Sequence, residues 1–165
     1  MMGFIGYAFV NLILPFLGFE KNGPVVVSGA MQRQTFKASV KELVSKLDPL
    51  NAEFAVSMTI PADRIDPQSL CATKNGIRDL KLTDSVVPFT AELLDGHHRQ
   101  EALLETLFPK GGERSLFIKF CERKKANSPF TPKERKKWDS WVERLREQGR
   151  WVAAIYDKGE YSRFI

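Results

Sequence analysis

Cysteine and histidine are scarce in this chain, with two residues of each among 165. The cysteines, Cys71 and Cys121, lack the paired spacing of a metal site and are too few for a disulfide framework. Two free thiols in a reduced intracellular setting, cytoplasm or nucleus, are therefore expected, with a single Cys71–Cys121 disulfide as the alternative. Zinc binding is disfavoured, because the adjacent His97 and His98 cannot readily ligate one ion and no third histidine exists.

Internal repeats and low-complexity tracts are also missing. The length of 165 residues suits one domain with a buried core. Hydrophobic residues make up 43% of the chain and charged residues 27%, as in ordinary globular proteins. The formal net charge of +5 allows phosphate-rich ligands without requiring them.

The first segment lacks charge, since Gly3 to Phe19 contains no acidic or basic residue. It is just long enough to span a bilayer, but Asn11 and Pro15 interrupt it and no Lys or Arg precedes it. A secretory signal would have a basic start and a small-residue cleavage site, and neither is present. We expect a buried N-terminal helix, or a segment whose packing partner is not in this chain. A membrane anchor through residues 3–19 is the less favoured alternative.

Periodicity and turn residues predict the remaining elements. Strands are expected at 25–27, 54–60, 86–94, 115–121 and 151–156, and helices at 39–47, 97–108 and 132–148. The last helix has the clearest start, with Thr131 as N-cap, Pro132 at the first position and Glu134 at the third, and Gly149 as its C-cap. Its apolar stripe comprises Trp138, Trp141, Val142 and Leu145. Strands and helices alternate without regular βαβ repeats. This pattern predicts a compact α+β domain at 24–165, with a small mixed sheet and packed helices, behind an apolar segment at 1–23.

The stretch Asp95-Gly96-His97-His98-Arg99 contains both histidines and lies where a predicted strand becomes a predicted helix. Backbone N–H groups at a helix start can hold an anion, and a guanidinium adds a forked donor. The alternatives are structural. Asp95 would be the N-cap, one imidazole would pack or cap, and Arg99 would be a solvated charge beside Glu101.

This pattern of apolar strand, Asp95–Arg99 turn and apolar helix resembles the signature turn of the ParB/sulfiredoxin-like superfamily. The Asp95–Arg99 motif is most similar to that of the free serine kinases and ParB-like nucleases of that group. The upstream stretch Met58 to Ile65, a strand followed by a turn containing Pro61, resembles the superfamily's other conserved element. The resemblance covers about Phe54 to Cys121, or extends to Tyr156 if the last helix and strand belong, which places the domain core at about 54–157.

The resemblance implies a nucleotide-binding domain that is a phosphotransferase of the small-molecule kinase type or a nucleotide hydrolase. By position, Gly96, His98 and Arg99 would contact phosphate of ATP, ADP or CTP. Asp95 would position Mg²⁺ or an acceptor hydroxyl, and the catalytic group would be Asp95, His97 and His98. Asp63 or Asp66 would be the acid or base of a kinase-like reaction.

Two departures limit what the resemblance implies. Sulfiredoxins have a nucleophilic cysteine directly after this glycine, where this chain has His97, so sulfinic-acid repair is not expected. The chain also has no evident helix-turn-helix segment after the core, so a complete DNA-partitioning ParB is not expected. The alternative function is a catalytically inactive ParB-like module that binds nucleic acid through the basic 123–137 segment. The predicted contacts are Arg123, Lys124, Lys125, Arg135, Lys136 and Lys137.

Overall fold

The computed structural model of the protein describes residues 3–17, 25–28, 48–83, 89–109 and 111–159. The helix predicted at 39–47 and the first residues of the strand predicted at 86–94 lie outside these ranges. The strands are β1 (Phe4–Asn11), β2 (Val25–Ser28), β3 (Val56–Ile60), β4 (Thr90–Leu93) and β5 (Arg150–Asp157). The α-helices of the described residues are α1 (His97–Leu107), α2 (Gly111–Lys125) and α3 (Pro132–Gln148).

The strands form one mixed sheet in the order β1-β5-β3-β4-β2. Strand β5 pairs antiparallel with β1 and parallel with β3, so Ala153 lies between Ala8 and Val56. Strand β4 runs antiparallel to β3 and parallel to β2. The central position of β5 explains its nearly continuous apolar sequence, because a strand with neighbours on both sides is buried along most of its length. This arrangement confirms the predicted α+β class and the small mixed sheet.

The prediction of a helix in the uncharged N-terminal segment is wrong, because Phe4–Asn11 is an edge strand of the sheet. A short apolar run does not distinguish a buried strand from a buried helix by periodicity. Pairing with β5 decides the outcome, and Asn11 ends the strand. Its Oδ1 accepts hydrogen bonds from the backbone N–H groups of Ile13 and Leu14, while its Nδ2 donates to the carbonyl oxygen of Leu145 at 2.8 Å. Among the described residues, no helix combines the length and apolar character that crossing a membrane requires.

The strand predicted at 115–121 is also wrong, because these residues lie inside α2. Phe117, Phe120 and Cys121 are buried at helical spacing, while the intervening Ile118 is 47% exposed. The run of large apolar residues suggested a strand, but only the i, i+3, i+4 positions face the core. The buried apolar residues at 115–121 therefore form one face of a helix and not the alternating face of a strand.

Aromatic side chains join α2 and α3 into one layer. The ring of Phe117 stacks on Phe108 at 5.0 Å and on Trp138 at 5.8 Å between centroids, and it meets Trp141 edge-on at 5.5 Å. Trp138, Trp141 and Leu145 are buried and Val142 is partly buried, which confirms the predicted stripe of α3. The Thr131–Glu134 capping box is also formed, and Gly149 is the C-cap.

Both cysteines are free thiols, so the alternative of a Cys71–Cys121 disulfide is excluded in this structure. Cys121 is buried on α2. Burial raises the pKa of its thiol to about 11, which keeps it protonated at neutral pH. A protonated, buried thiol is a packing group rather than a nucleophile.

Candidate phosphate-binding turn

Gly96 connects β4 to α1 with a left-handed backbone, φ +98°, and is the N-cap of the helix. A Cβ atom at this position would lie 2.4 Å from Cγ1 of Val56 on β3, a distance that no side chain tolerates. Both its conformation and its close approach to β3 therefore require glycine. The glycine of the motif thus has a packing role, in addition to any contact with a ligand.

Asp95 is exposed and attaches the turn to the first half of β3. Its Oδ1 accepts a hydrogen bond from the backbone N–H of Ser57 at 2.7 Å, and its Oδ2 lies 3.4 Å from the Ser57 hydroxyl. The backbone N–H of Leu94 donates to the Ser57 carbonyl oxygen at 2.8 Å. The alternative of Asp95 as the helix N-cap is wrong, since Gly96 is the N-cap and no side chain caps α1. Ser57 carries no sequence signal for this role, because it is 38 residues away.

Two polar side chains in the first turns of α1 also bind backbone carbonyls of distant segments. Arg99 donates from Nη1 to the carbonyl oxygen of Ala55 at 3.0 Å. Gln100, which is buried, donates from Nε2 to the carbonyl oxygen of Leu12 at 2.9 Å. The Arg99 guanidinium has five N–H donors, so one bond to Ala55 positions the group without using its whole donor set.

His97 and His98 are the first two residues of α1, and both are partly exposed. The first turn contains no acidic residue, and no N-cap side chain accepts from its N–H groups. The backbone of Gln100 makes the first helical bond, to the Gly96 carbonyl oxygen at 2.9 Å. The N–H groups of His97, His98 and Arg99 therefore precede the helical ladder and lie at its positive end.

Asp63 and Asp66 lie beyond the carboxyl end of β3, whereas Asp95 contacts its amino end. Ser57 near the amino end of β3 and Ile60 at its carboxyl end are already about 10 Å apart, at about 3.3 Å per strand residue. Asp66 accepts a hydrogen bond from the backbone of Gln68 as the N-cap of a short 3-10 helix. The fold thus does not bring the predicted acid or base to the Asp95–Arg99 turn.

Nor does the turn gather ligands for a resident metal ion. Within the described ranges, no three His, Cys, Asp or Glu side chains cluster as a metal site would need. Asp95 supplies one carboxylate, and both of its oxygens are directed to Ser57. The donor set therefore does not fit a protein-held Mg²⁺.

The basic 123–137 segment divides between structural and solvated cations. Arg123 at the end of α2 pairs with both carboxylate oxygens of Glu134 on α3 and donates to the Pro129 carbonyl oxygen at 2.7 Å. Its guanidinium also lies 4.8 Å from the Phe130 ring centroid. The hydrogen bond from Arg123, together with the one from the backbone N–H of Thr131, lowers the pKa of the Glu134 carboxyl to about 2. Arg123 therefore joins two helices, unlike the exposed Arg135, Lys136 and Lys137.

A groove of about 400 Å³ lies along α3 and was not evident from the sequence. We call it the α3 groove, and its lining residues are Glu113, Lys133, Lys136, Lys137, Ser140, Trp141 and Arg144. Glu113 on α2 connects two of these residues of α3, because its Oε1 accepts hydrogen bonds from Nε1 of Trp141 and Nη2 of Arg144, both at 3.0 Å. Positions 133, 137, 141 and 144 share one face of a helix. This spacing is a sequence signal for the groove, but it is hidden when the basic residues are considered as one continuous run.

A second cavity, of about 380 Å³, lies between β1, β3 and the segment around residue 80. Its lining is mainly apolar, and none of the site residues predicted from the sequence borders it. Arg150 at its edge is engaged with Asp79, at 2.8 Å between Nη2 and Oδ1. Its mainly apolar lining favours an apolar ligand, and the cations among its described lining residues are Arg146 and Arg150.

Comparisons with protein-family models, with curated proteins and with solved structures found no match to this chain.

Proposed function

We propose that the Asp95–Arg99 turn binds the phosphate of a nucleotide, and that the chain is a nucleotide-binding domain of the ParB/sulfiredoxin-like type. The observation that carries the proposal is the uncapped start of an 11-residue helix, flanked by two imidazoles and a guanidinium. Backbone donors, the helix dipole and a forked cation all favour an anionic group at this place.

The anchoring of the turn supports this proposal. Gly96 packs against Val56, Asp95 binds Ser57, and Arg99 binds the Ala55 carbonyl. A site whose parts are fixed before binding loses less conformational entropy when the ligand arrives.

The proposal is limited to binding. A general acid or base has to lie within hydrogen-bond reach of the reacting group. Asp63 and Asp66 follow the far end of β3, so phosphoryl transfer with either of them at this turn lacks geometric support. The imidazoles of His97 and His98 are the titratable groups closest in sequence to the helix start.

Calorimetric titration with ATP, ADP and CTP, each with and without Mg²⁺, tests the proposal. We expect at least one nucleotide to bind below millimolar concentration, while adenosine and cytidine, which lack phosphate, bind far more weakly. Binding of the nucleosides as tight as that of the nucleotides would contradict a phosphate site. So would the absence of submillimolar binding by any nucleotide.

Arg99→Ala should weaken nucleotide binding by about 1.5–3 kcal/mol, the usual range for a hydrogen bond to a charged group. Arg78→Ala is the matched control, because Arg78 is an exposed arginine outside the turn. Urea unfolding of both variants separates lost affinity from lost folding. An unchanged affinity in folded Arg99→Ala would remove Arg99 from the site.

A further inference from the structure

The excess positive charge of the protein is confined to one part of the chain. Residues 123–148 contain nine of its 25 Lys and Arg residues and four of its 20 Asp and Glu residues. This leaves 16 of each sign for the rest of the chain, so the whole net charge of +5 lies between the end of α2 and the end of α3. Such an asymmetry indicates a surface that attracts polyanions.

Within this region, several of the cations line the α3 groove. Lys133 and Lys136 are exposed and have no acidic partner among the described residues. Lys137 places Nζ 5.3 Å from the centroid of the Trp141 ring, which holds the ammonium along the groove. Arg144 is compensated by Glu113, so the three lysines supply the excess charge. From Lys133 to Arg144 the groove extends about 17 Å, at about 1.5 Å per helical residue.

We propose that the α3 groove binds the sugar–phosphate backbone of double-stranded nucleic acid without reading its sequence. Trp141, the one aromatic residue of the groove, is only 4% exposed, so the groove offers no platform on which unpaired bases could stack. An acidic protein partner would be expected to meet exposed aromatic or apolar anchors, and the groove lining has none. A duplex, with its dense and regular charge, needs only the cations.

This inference is independent of the proposed nucleotide site, because the two share no residue. Its set of cations differs from the contacts predicted from the sequence, since Arg123 is held by Glu134 while Lys133 lines the groove with Lys136 and Lys137. A result at one site therefore leaves the other unaffected.

Fluorescence anisotropy with a mixed-sequence 20-base-pair DNA duplex, measured from 50 to 200 mM salt, tests the inference. Three phosphate contacts predict a slope of log K against log salt of about −2.7, which is roughly a 40-fold loss of affinity over this range. No binding at 50 mM salt, or a flat salt dependence, would overturn the proposal. Tighter binding of a single strand, or equal competition by polyglutamate, would overturn the choice of a duplex.

The double substitution Lys133→Gln/Lys136→Gln should weaken duplex binding roughly tenfold and lower the slope by about 2. The control is Arg78→Gln/Lys81→Gln, which removes the same charge from exposed positions outside the groove. Equal losses in both doubles would show attraction by net charge and would contradict a site. Ser140→Glu, which adds an acid at the centre of the groove, should cause a similar loss of duplex affinity. The helix should stay folded, because neighbouring cations on it can pair with the new carboxylate.

Discussion

The Asp95–Arg99 turn and the α3 groove are both rich in polar side chains beside a helix, yet they use them in opposite ways. At the turn, Asp95 and Arg99 bind backbone groups around the start of β3, so the charges are part of the fold. In the groove, Lys133 and Lys136 remain exposed, and Arg144 is paired with Glu113. The contrast shows that the charges of a conspicuous motif can be anchored to the backbone of the fold, while those of an ordinary lysine run stay exposed.

This contrast predicts the largest effect at the glycine of the turn. Gly96→Ala should lower the free energy of unfolding by about 2–4 kcal/mol, because the new Cβ would collide with Val56 in a strained left-handed conformation. Urea unfolding measures the loss. Gly76→Ala is the control, since its φ is +69° but nothing lies within 4 Å of the added Cβ. We expect about 1 kcal/mol there, and equal losses at the two glycines would contradict the packing role of Gly96.

A smaller effect is expected for the carboxylate of the turn. Asp95→Ala should cost about 1–2 kcal/mol, because the backbone N–H of Ser57 loses its acceptor. Asp63→Ala, at an exposed acid beyond the other end of β3, should change stability by less than about 0.5 kcal/mol. Chemical denaturation of the two variants side by side gives the comparison. If the two substitutions cost the same, Asp95 is not an anchor.

The Arg123–Glu134 pair, which joins α2 to α3, should make the stability of the protein depend on pH in the acid range. The pKa of Glu134 falls from its ordinary value of 4.5 to about 2, chiefly through its hydrogen bond with Arg123. The ionised carboxylate therefore stabilises the fold above pH 4.5, and this contribution is lost as the pH falls towards 2. Thermal melting of Glu134→Gln should show a flatter profile between these pH values. Glu143→Gln, at an exposed acid of the same helix, should keep the wild-type slope.

The smallest effect on stability is expected in the groove. Lys133→Gln/Lys136→Gln should alter the free energy of unfolding by less than about 0.5 kcal/mol, because both side chains are exposed on α3. Urea unfolding checks this value. A loss above 1 kcal/mol would mean that these lysines, like Arg123, belong to the fold, and the contrast between the two regions would disappear.

Local signals predicted much of the fold. The capping box at Thr131–Glu134 and the stripe of Trp138, Trp141 and Leu145 are confirmed in α3. Helix α1 and strand β5 also lie where the sequence predicted them. These signals succeed because a cap, a turn or a helical stripe is encoded within a few residues.

The predictions failed where a partner distant in sequence decides. Phe4–Asn11 and Ser115–Cys121 are both apolar runs, but the first pairs with β5 as a strand and the second buries one face of α2. Periodicity in a short run does not choose between these outcomes. Packing against the rest of the chain does.

The sequence by itself determined the α+β class, the start of α3 and the turn that joins a strand to α1. Only the tertiary structure decided what the charged residues do. It bound Asp95 to Ser57, Arg123 to Glu134 and Arg144 to Glu113. The physical reason is that an ion pair or a side-chain hydrogen bond depends on distance in space, and these partners are 11 to 38 residues apart in the chain.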